Sequence, residues 1–387
     1  MNMSQKCKYV VLVGDGMADW PLKKLGGKTP LEAAKKPNMD WIAKNGTCGM
    51  VRTVPKGVKP GSDVANISIF GYDPRVSYSG RGPLEALSRG IKLGRNDVAF
   101  RCNLVKIENG KMADYSAGHI TTAEAKKVIK FLDRELGNKK TRFYAGVSYR
   151  HLVLIDGGPS KVKCTPPHDI TGRPVGKYLP KGPGADTLNI LMSDSNEILS
   201  SKGGKANMIW LWGQGKTPKM RKFPLKGSVI TAVDLIKGIG RAIGLEVINV
   251  PRVTGYLDTN YIGKAKYALA SLKKNDFVFV HVESPDESGH EGNIKHKIKA
   301  IEDFDRYVVG TILKGLKKLG NYKVMVLPDH ATPIPIMTHS GEPVPFAIYS
   351  SRKKAGGASG YNEKIISRSK LRIEQGHKLM DYFIRSA

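Results

Sequence analysis

Three short apolar runs, far apart in the chain and each followed within a few residues by an aspartate, most constrain what this sequence can fold into. Tyr9-Val-Val-Leu-Val13 leads into Gly14-Asp15-Gly16, and Phe277-Val-Phe-Val280 continues through His281-Val282 to Asp286. Val324-Met-Val-Leu327 ends at Pro328-Asp329-His330. Continuous rather than alternating apolarity suits strands covered on both faces by helices, as in a mostly parallel sheet. The stretch from Ile298 to Leu319 supplies such a helix, with Ile301, Phe304, Val308, Ile312 and Leu316 spaced along one face. In open α/β sheets ligands gather beyond the carboxyl ends of the strands. Parallel strands therefore deliver Asp15, Asp286 and Asp329 to one rim. A single aspartate there is ordinarily a turn or cap residue, but three of them accompanied by histidines need another explanation.

Asp286 and His290 are four apart, so a helix beginning near Glu287 turns both toward one ion. His330 follows Asp329 directly, and His339 stands in Thr338-His339-Ser340-Gly341 after a proline-rich loop. Carboxylates combined with imidazoles suit zinc, manganese and related divalent ions. Charge points the same way. The 387 residues hold 63 Lys and Arg against 34 Asp and Glu, a net +29, spread widely rather than gathered in a tail. Yet His281 to Glu291 contains Glu283, Asp286, Glu287 and Glu291 without one Lys or Arg. An acidic island in a basic chain is where a bound cation is expected.

The basic excess favours acidic partners, whether nucleic acid, a membrane surface or small anions. No helix-turn-helix, zinc-finger or aromatic RNA-binding motif accompanies it, so nucleic acid is not the expected partner. No apolar run approaches the roughly 18 residues that span a bilayer, and Tyr9–Val13 is too brief for a signal-peptide core. Cys7, Cys48, Cys102 and Cys164 have no CxxC spacing and read as reduced thiols. The expectation is a cytoplasmic enzyme.

Ser62, in Lys59-Pro-Gly-Ser-Asp-Val-Ala-Asn66, is the candidate nucleophile. Pro-Gly makes a turn and the spacing of Val64, Ile67 and Phe70 suggests a helix, which sets Ser62 at a helix N-terminus that attracts phosphate. The alternative there is a plain N-cap serine. A serine hydroxyl attacks near neutral pH only when a base or metal activates it.

The segments Val13-Gly-Asp-Gly-Met-Ala-Asp19, Pro60-Gly-Ser-Asp-Val-Ala-Asn66, Ile69-Phe-Gly-Tyr-Asp-Pro74, Gly80-Arg-Gly-Pro-Leu-Glu-Ala86, Ser284-Pro-Asp-Glu-Ser-Gly-His290 and Pro328-Asp-His-Ala-Thr-Pro333 closely resemble the archaeal-type cofactor-independent phosphoglycerate mutases of the alkaline phosphatase superfamily. The resemblance covers nearly the whole chain. It implies two divalent ions (Mn, Zn, Mg or Co), one held by Asp286, His290 and His339 and the other by Asp15, Asp329, His330 and Ser62. It also implies interconversion of 3-phosphoglycerate and 2-phosphoglycerate through a phosphoserine at Ser62, with no 2,3-bisphosphoglycerate. A related metal-dependent phosphatase or a phosphopentomutase is the alternative on the same metal site.

The expected architecture is α/β: a mostly parallel central sheet flanked by helices, residues 1–92 and 182–387, with a smaller α+β cap inserted at 93–181. Strand-like composition at Asp97–Val105 and Thr141–Ile155, and a helix over Thr121–Leu136 opened by a Thr121/Glu124 capping box, mark the cap. Its closure is expected to keep water from a phosphoserine. Candidate substrate ligands are Asn66, one turn after Ser62, and in the cap Arg101, His119, Arg150 and His168. Lys264 is a further candidate from the main domain.

Overall fold

The computed structural model describes residues 7–353 and 355–385. The chain divides into two compact units, one running to Tyr78 and resuming at Met220, the other comprising Ser79–Lys219. Strands are numbered along the chain.

The first unit is built on an eight-stranded sheet of β1 (Lys8–Gly14), β2 (Thr47–Val51), β8 (Gly227–Ile230), β9 (Glu246–Val247), β10 (Phe277–Val282), β11 (Tyr322–Leu327), β12 (Val344–Ser350) and β13 (Arg372–Ile373). Their order is β13-β2-β12-β11-β1-β10-β8-β9. The three apolar runs are its central strands, with β1 parallel to both β10 and β11. Only β12 runs against its neighbours. Val10, Leu12, Val278, Val280, Val324 and Val326 are all fully buried. Each contributes about 1.5–3 kcal/mol, so burial on both faces explains why these runs do not alternate. Val13 lies opposite His281 on one side and Leu327 on the other, so the three strands end level. That register carries Asp15, Asp286 and Asp329 to a common rim.

The predicted helix over 298–319 is interrupted. An α-helix over Ile294–Asp303 passes into a π-helical turn at Phe304–Val309 and resumes at Gly310–Leu316. The turn points fully buried Asp305 at the start of the helix Pro37–Asn45. Lys36, at the N-cap of that helix, makes no side-chain cap bond. Asp305 replaces it, accepting from Asn38 N at 3.2 Å and Met39 N at 2.7 Å. Wider helical turns of this kind are uncommon and need such a local cause.

The second unit holds β3 (Asp97–Glu108), β4 (Lys111–Asp114), β5 (Thr141–Val147), β6 (Arg150–Asp156) and β7 (Met208–Gly215) in an antiparallel sheet. Its edges differ from the expected 93 and 181. β7 pairs with β3 along most of its length, the helix Ala185–Ser200 packs on β7, and the helix Arg81–Ser88 packs on both β3 and β7. These elements share the second unit's core, so the unit extends to Ser79 and Lys219. The stretch read as one extended region at 141–155 is two strands joined at Ser148, whose φ of 50° reverses the chain. The helix Thr122–Leu136 begins with the expected reciprocal Thr121/Glu124 capping box.

Candidate functional site

Asp15 follows β1 directly, its N–H bonded to the Val282 carbonyl at 2.9 Å, and it is 1% exposed. At Gly16 φ is +57°, and a Cβ there would strike the carboxylate of Asp286 and the hydroxyl of Thr332. Glycine alone lets the strand end approach so closely. Asp329 is fully buried. Its Oδ1 accepts from Gly16 N at 3.1 Å and His330 N at 2.9 Å, and its Oδ2 from Asn66 Nδ2 at 2.7 Å. His330 Nε2 stands 3.4 Å from Asp15 Oδ1, 3.7 Å from Asp329 Oδ2 and 3.1 Å from Ser62 Oγ.

Asp286 sits in the helix Ser284–His290 with His290 one turn on. His290 Nε2 lies 3.2 Å from Asp286 Oδ2 and 2.9 Å from His339 Nε2, and His339 Nε2 is 3.5 Å from Asp286 Oδ1. His290 Nδ1 faces the Met337 carbonyl at 3.0 Å. That bond fixes the ring through Nδ1 and aims Nε2 at Asp286 Oδ2, the orientation in which a cation would take the place of the Nε2 proton on an imidazole held by an outer partner.

All seven side chains expected to ligate metal therefore converge. Two sets, Asp15/Asp329/His330 and Asp286/His330/His339, each offer ligand atoms within 4.8 Å of one another, and His330 belongs to both. The donors fit divalent cations. The three aspartates find their ion-pair partners among the described residues in histidines, and the enclosed Asp15 Oδ1 has no hydrogen-bond partner among those residues. Burial, then the charges of Asp329, Asp286 and Glu283, push the Asp15 carboxyl well above its ordinary range. Burial acts on Asp286 in the same sense, but hydrogen bonds from His290 and His339 outweigh it and hold that carboxyl well below. Carboxylates crowded so closely call for positive charge between them.

Ser62 is the first residue of the helix Ser62–Ile69, and Gly61 rather than Ser62 occupies the N-cap. Its hydroxyl faces His330 and caps nothing. Asn66 Nδ2 donates to Ser62 O at 2.8 Å and to Asp329 Oδ2, which engages both amide hydrogens and ties the start of this helix to Asp329. Lys264 is fully buried, with Nζ on the His281 carbonyl at 2.9 Å. Burial lowers its ammonium to about 8.

In the second unit, Arg101 pairs with Glu85 at 2.9 Å and lies 4.1 Å from the Trp212 ring centroid. The His168 ring meets the same Trp212 edge-on at 5.3 Å. Tyr115 links His168 to Tyr149, and Arg150 lies over Tyr149 at 5.5 Å. Three of the four cap candidates thus share one basic and aromatic cluster. His119 is exposed at φ 48° and makes none of these ring contacts.

His281 is the site residue that the sequence reading passed over. Fully buried on β10, it brings Nε2 to 3.2 Å from Asp15 Oδ2 and 4.0 Å from Asp329 Oδ2. Behind the site, Glu363 accepts from Asp19 N at 3.1 Å and Thr29 Oγ1 at 2.7 Å. Burial raises its carboxyl to about 7 from an ordinary 4.5. The unfolded chain then releases this proton first, and the stability Glu363 confers below about pH 4.5 is lost as pH rises through 7. Glu363→Gln is expected to flatten the fall of Tm across that window in thermal melts. An unchanged slope would assign the pH dependence elsewhere.

The sequence and fold match known proteins throughout. Residues 43–203 match the family model described as 2,3-bisphosphoglycerate-independent phosphoglycerate mutase. A protein of that name from Methanosarcina barkeri is 50% identical over 98% of this chain and 100% of its own length. A probable one from Geobacter sulfurreducens is 49% identical over 97% and 99%. The solved cofactor-independent phosphoglycerate mutase of Thermoplasma acidophilum superposes with a TM-score of 0.70 at 27% identity, covering 98% of this chain and 99% of that one. A solved protein of Pyrococcus horikoshii reaches 0.81 at 31%, covering 98% and 97%. With identity near one half across the whole length, over strands that bring a serine, three aspartates and three histidines together, this chain belongs to the 2,3-bisphosphoglycerate-independent phosphoglycerate mutase family.

Proposed function

We propose that the chain interconverts 3-phosphoglycerate and 2-phosphoglycerate by passing the phosphoryl group through Ser62, without 2,3-bisphosphoglycerate. The observation that carries this reading is the placement of the Ser62 hydroxyl, at the positive end of a helix and 3.1 Å from His330 Nε2, beside the Asp15/Asp329/His330 set. Asp286, His290 and His339 would hold one divalent ion, and Asp15, Asp329, His330 and Ser62 the other, with manganese, zinc, magnesium and cobalt all compatible with such donors. When bound, these ions lower the pKa of a coordinated hydroxyl and offset charge on the transferred oxygens.

The rest falls to the protein. Ser62 Oγ loses its proton as it bonds to phosphorus, while the P–O bond to one glycerate hydroxyl breaks and that oxygen takes up a proton. The second half reverses these steps on the adjacent hydroxyl, so protons balance and no water is consumed. Asn66 holds Ser62 and Asp329 in fixed relation through its two amide bonds. The helix dipole favours the anionic phosphoryl group at its N-terminus. For Arg101, Arg150 and His168, a cluster of two guanidinium groups over aromatic rings and an imidazole is suited to the substrate's carboxylate and phosphate. A glycolytic or gluconeogenic role and a cytoplasmic location follow from this reading. No helix among the described residues is long and apolar enough to cross a membrane.

The test is incubation of metal-loaded protein with 3-phosphoglycerate and no bisphosphoglycerate, following 2-phosphoglycerate and inorganic phosphate in parallel. Isomerisation with little phosphate release is expected. Phosphate release without 2-phosphoglycerate would instead identify a phosphatase.

A further inference from the structure

Lys297 takes no part in the chemistry described, yet it is fully buried beneath the metal-ligand rim. A buried ammonium is tolerated only when its donors are satisfied, and here all three are. Nζ donates to Asp19 Oδ2 at 2.7 Å, to the Thr332 carbonyl at 2.7 Å and to the Ala18 carbonyl at 3.2 Å. Each acceptor lies on a loop that carries ligands. Ala18 and Asp19 close the loop opened by Asp15, and Thr332 closes the one opened by Asp329 and His330. Lys297 itself belongs to the helix Ile294–Asp303, which follows the helix carrying Asp286 and His290.

The same three segments are cross-tied around it. Thr332 N donates to Ala18 O at 3.2 Å, and Ile334 N reaches both carboxylate oxygens of Asp19 at 3.2 Å. The Thr332 hydroxyl donates to Asp286 Oδ1 and lies 3.3 Å from His330 Nδ1. Little slack exists. A Cβ added at Gly289 would meet the Thr332 carbonyl at 2.7 Å, and one at Gly16 would strike Asp286 and the Thr332 hydroxyl.

A buried ion pair by itself is replaceable by apolar side chains without loss of stability. What an apolar residue cannot do is bind the backbone carbonyls of two separate loops at one point. We propose that Lys297 is a positioning residue that fixes the spacing between the Asp15/Asp329/His330 and Asp286/His290/His339 sets, and thereby their affinity for metal. The inference rests on the two-metal reading above.

The test uses the full-length chain stripped of metal and titrated with cobalt(II), read by its visible absorption and by competition with a chelating dye. Lys297→Met, similar in length and without charge, is expected to bind cobalt at least ~10-fold more weakly, the scale at which outer partners tune metal sites, with altered absorption bands. kcat should fall while KM for 3-phosphoglycerate stays within about twofold. Wild-type affinity and spectrum in a folded Lys297→Met protein would overturn the proposal. If that variant does not fold, Asp19→Asn keeps the shape but removes the ammonium's one anionic partner, and a smaller loss of cobalt affinity is expected. Unchanged affinity in that folded variant would likewise overturn it. Wild-type protein that takes up no cobalt would overturn the metal reading itself, and the inference with it.

Discussion

Ser62→Ala is expected to abolish interconversion of the two phosphoglycerates, lowering kcat by ~10⁴-fold or more, the scale seen when a catalytic nucleophile is removed. The substitution removes the atom that would carry the phosphoryl group and little else. Gly61 holds the N-cap, so no helix cap is lost, and the Asp286, His290 and His339 cluster does not depend on the hydroxyl. The variant should melt within a few degrees of the parent. Activity assays and thermal melts on one preparation separate loss of chemistry from loss of fold. Near-normal turnover by folded Ser62→Ala would remove serine from the mechanism.

The second large effect is expected at Asp329. Its two oxygens accept three bonds, from Gly16 N, His330 N and Asn66 Nδ2, while it also offers a ligand atom to the Asp15/His330 set. Asp329→Asn removes the negative charge. With the amide nitrogen at Oδ2 it faces the Asn66 amide, donor to donor, and with the nitrogen at Oδ1 it opposes two backbone N–H groups. Either orientation strands buried donors, at about 1–3 kcal/mol each. Loss of a charged ligand should exceed the 10–100-fold weakening typical of outer partners, so cation affinity is expected to fall by more than ~100-fold. Isothermal titration of the metal-free variant measures this directly. An affinity within tenfold of wild type would mean that Asp329 is not a ligand.

The parts of this site legible in the sequence are those whose signal is local. Continuous apolar runs ending in aspartate identify the three central strands because burial on both faces demands them. The four-residue spacing of Asp286 and His290 marks a helical pair because geometry leaves few other uses for it. His281 carries no such signal. It reads as one more residue of an apolar strand, and only its pairing opposite Val13 shows that it ends beside Asp15. Lys297 is similar, a lysine among lysines in Ile294-Lys-His-Lys-Ile-Lys299 until tertiary contacts bury it.

The boundaries of the second unit escaped for the same reason. The partner of β7 is β3, about a hundred residues earlier, and a pairing so distant leaves no mark on the composition around residue 181. Asn66 and Lys264 are picked out by residue type near the right place, but tertiary contacts engage both amide hydrogens of Asn66 with Ser62 and Asp329 and bury Lys264 with Nζ on the His281 carbonyl. The net +29 first suggests a polyanion. The structure accounts locally for an acidic rim suited to cations and for one basic, aromatic cluster, and the remaining excess has no structural explanation.

The claim that most needs testing is that phosphorus bonds covalently to Ser62 during turnover. Metal-loaded protein mixed with 3-phosphoglycerate, quenched in acid within one turnover and digested, should yield the peptide containing Ser62 with the added mass of one phosphoryl group. The label should vanish in the Ser62→Ala protein and in metal-stripped samples. Rapid formation of 2-phosphoglycerate with that peptide unmodified at every quench time would contradict the account.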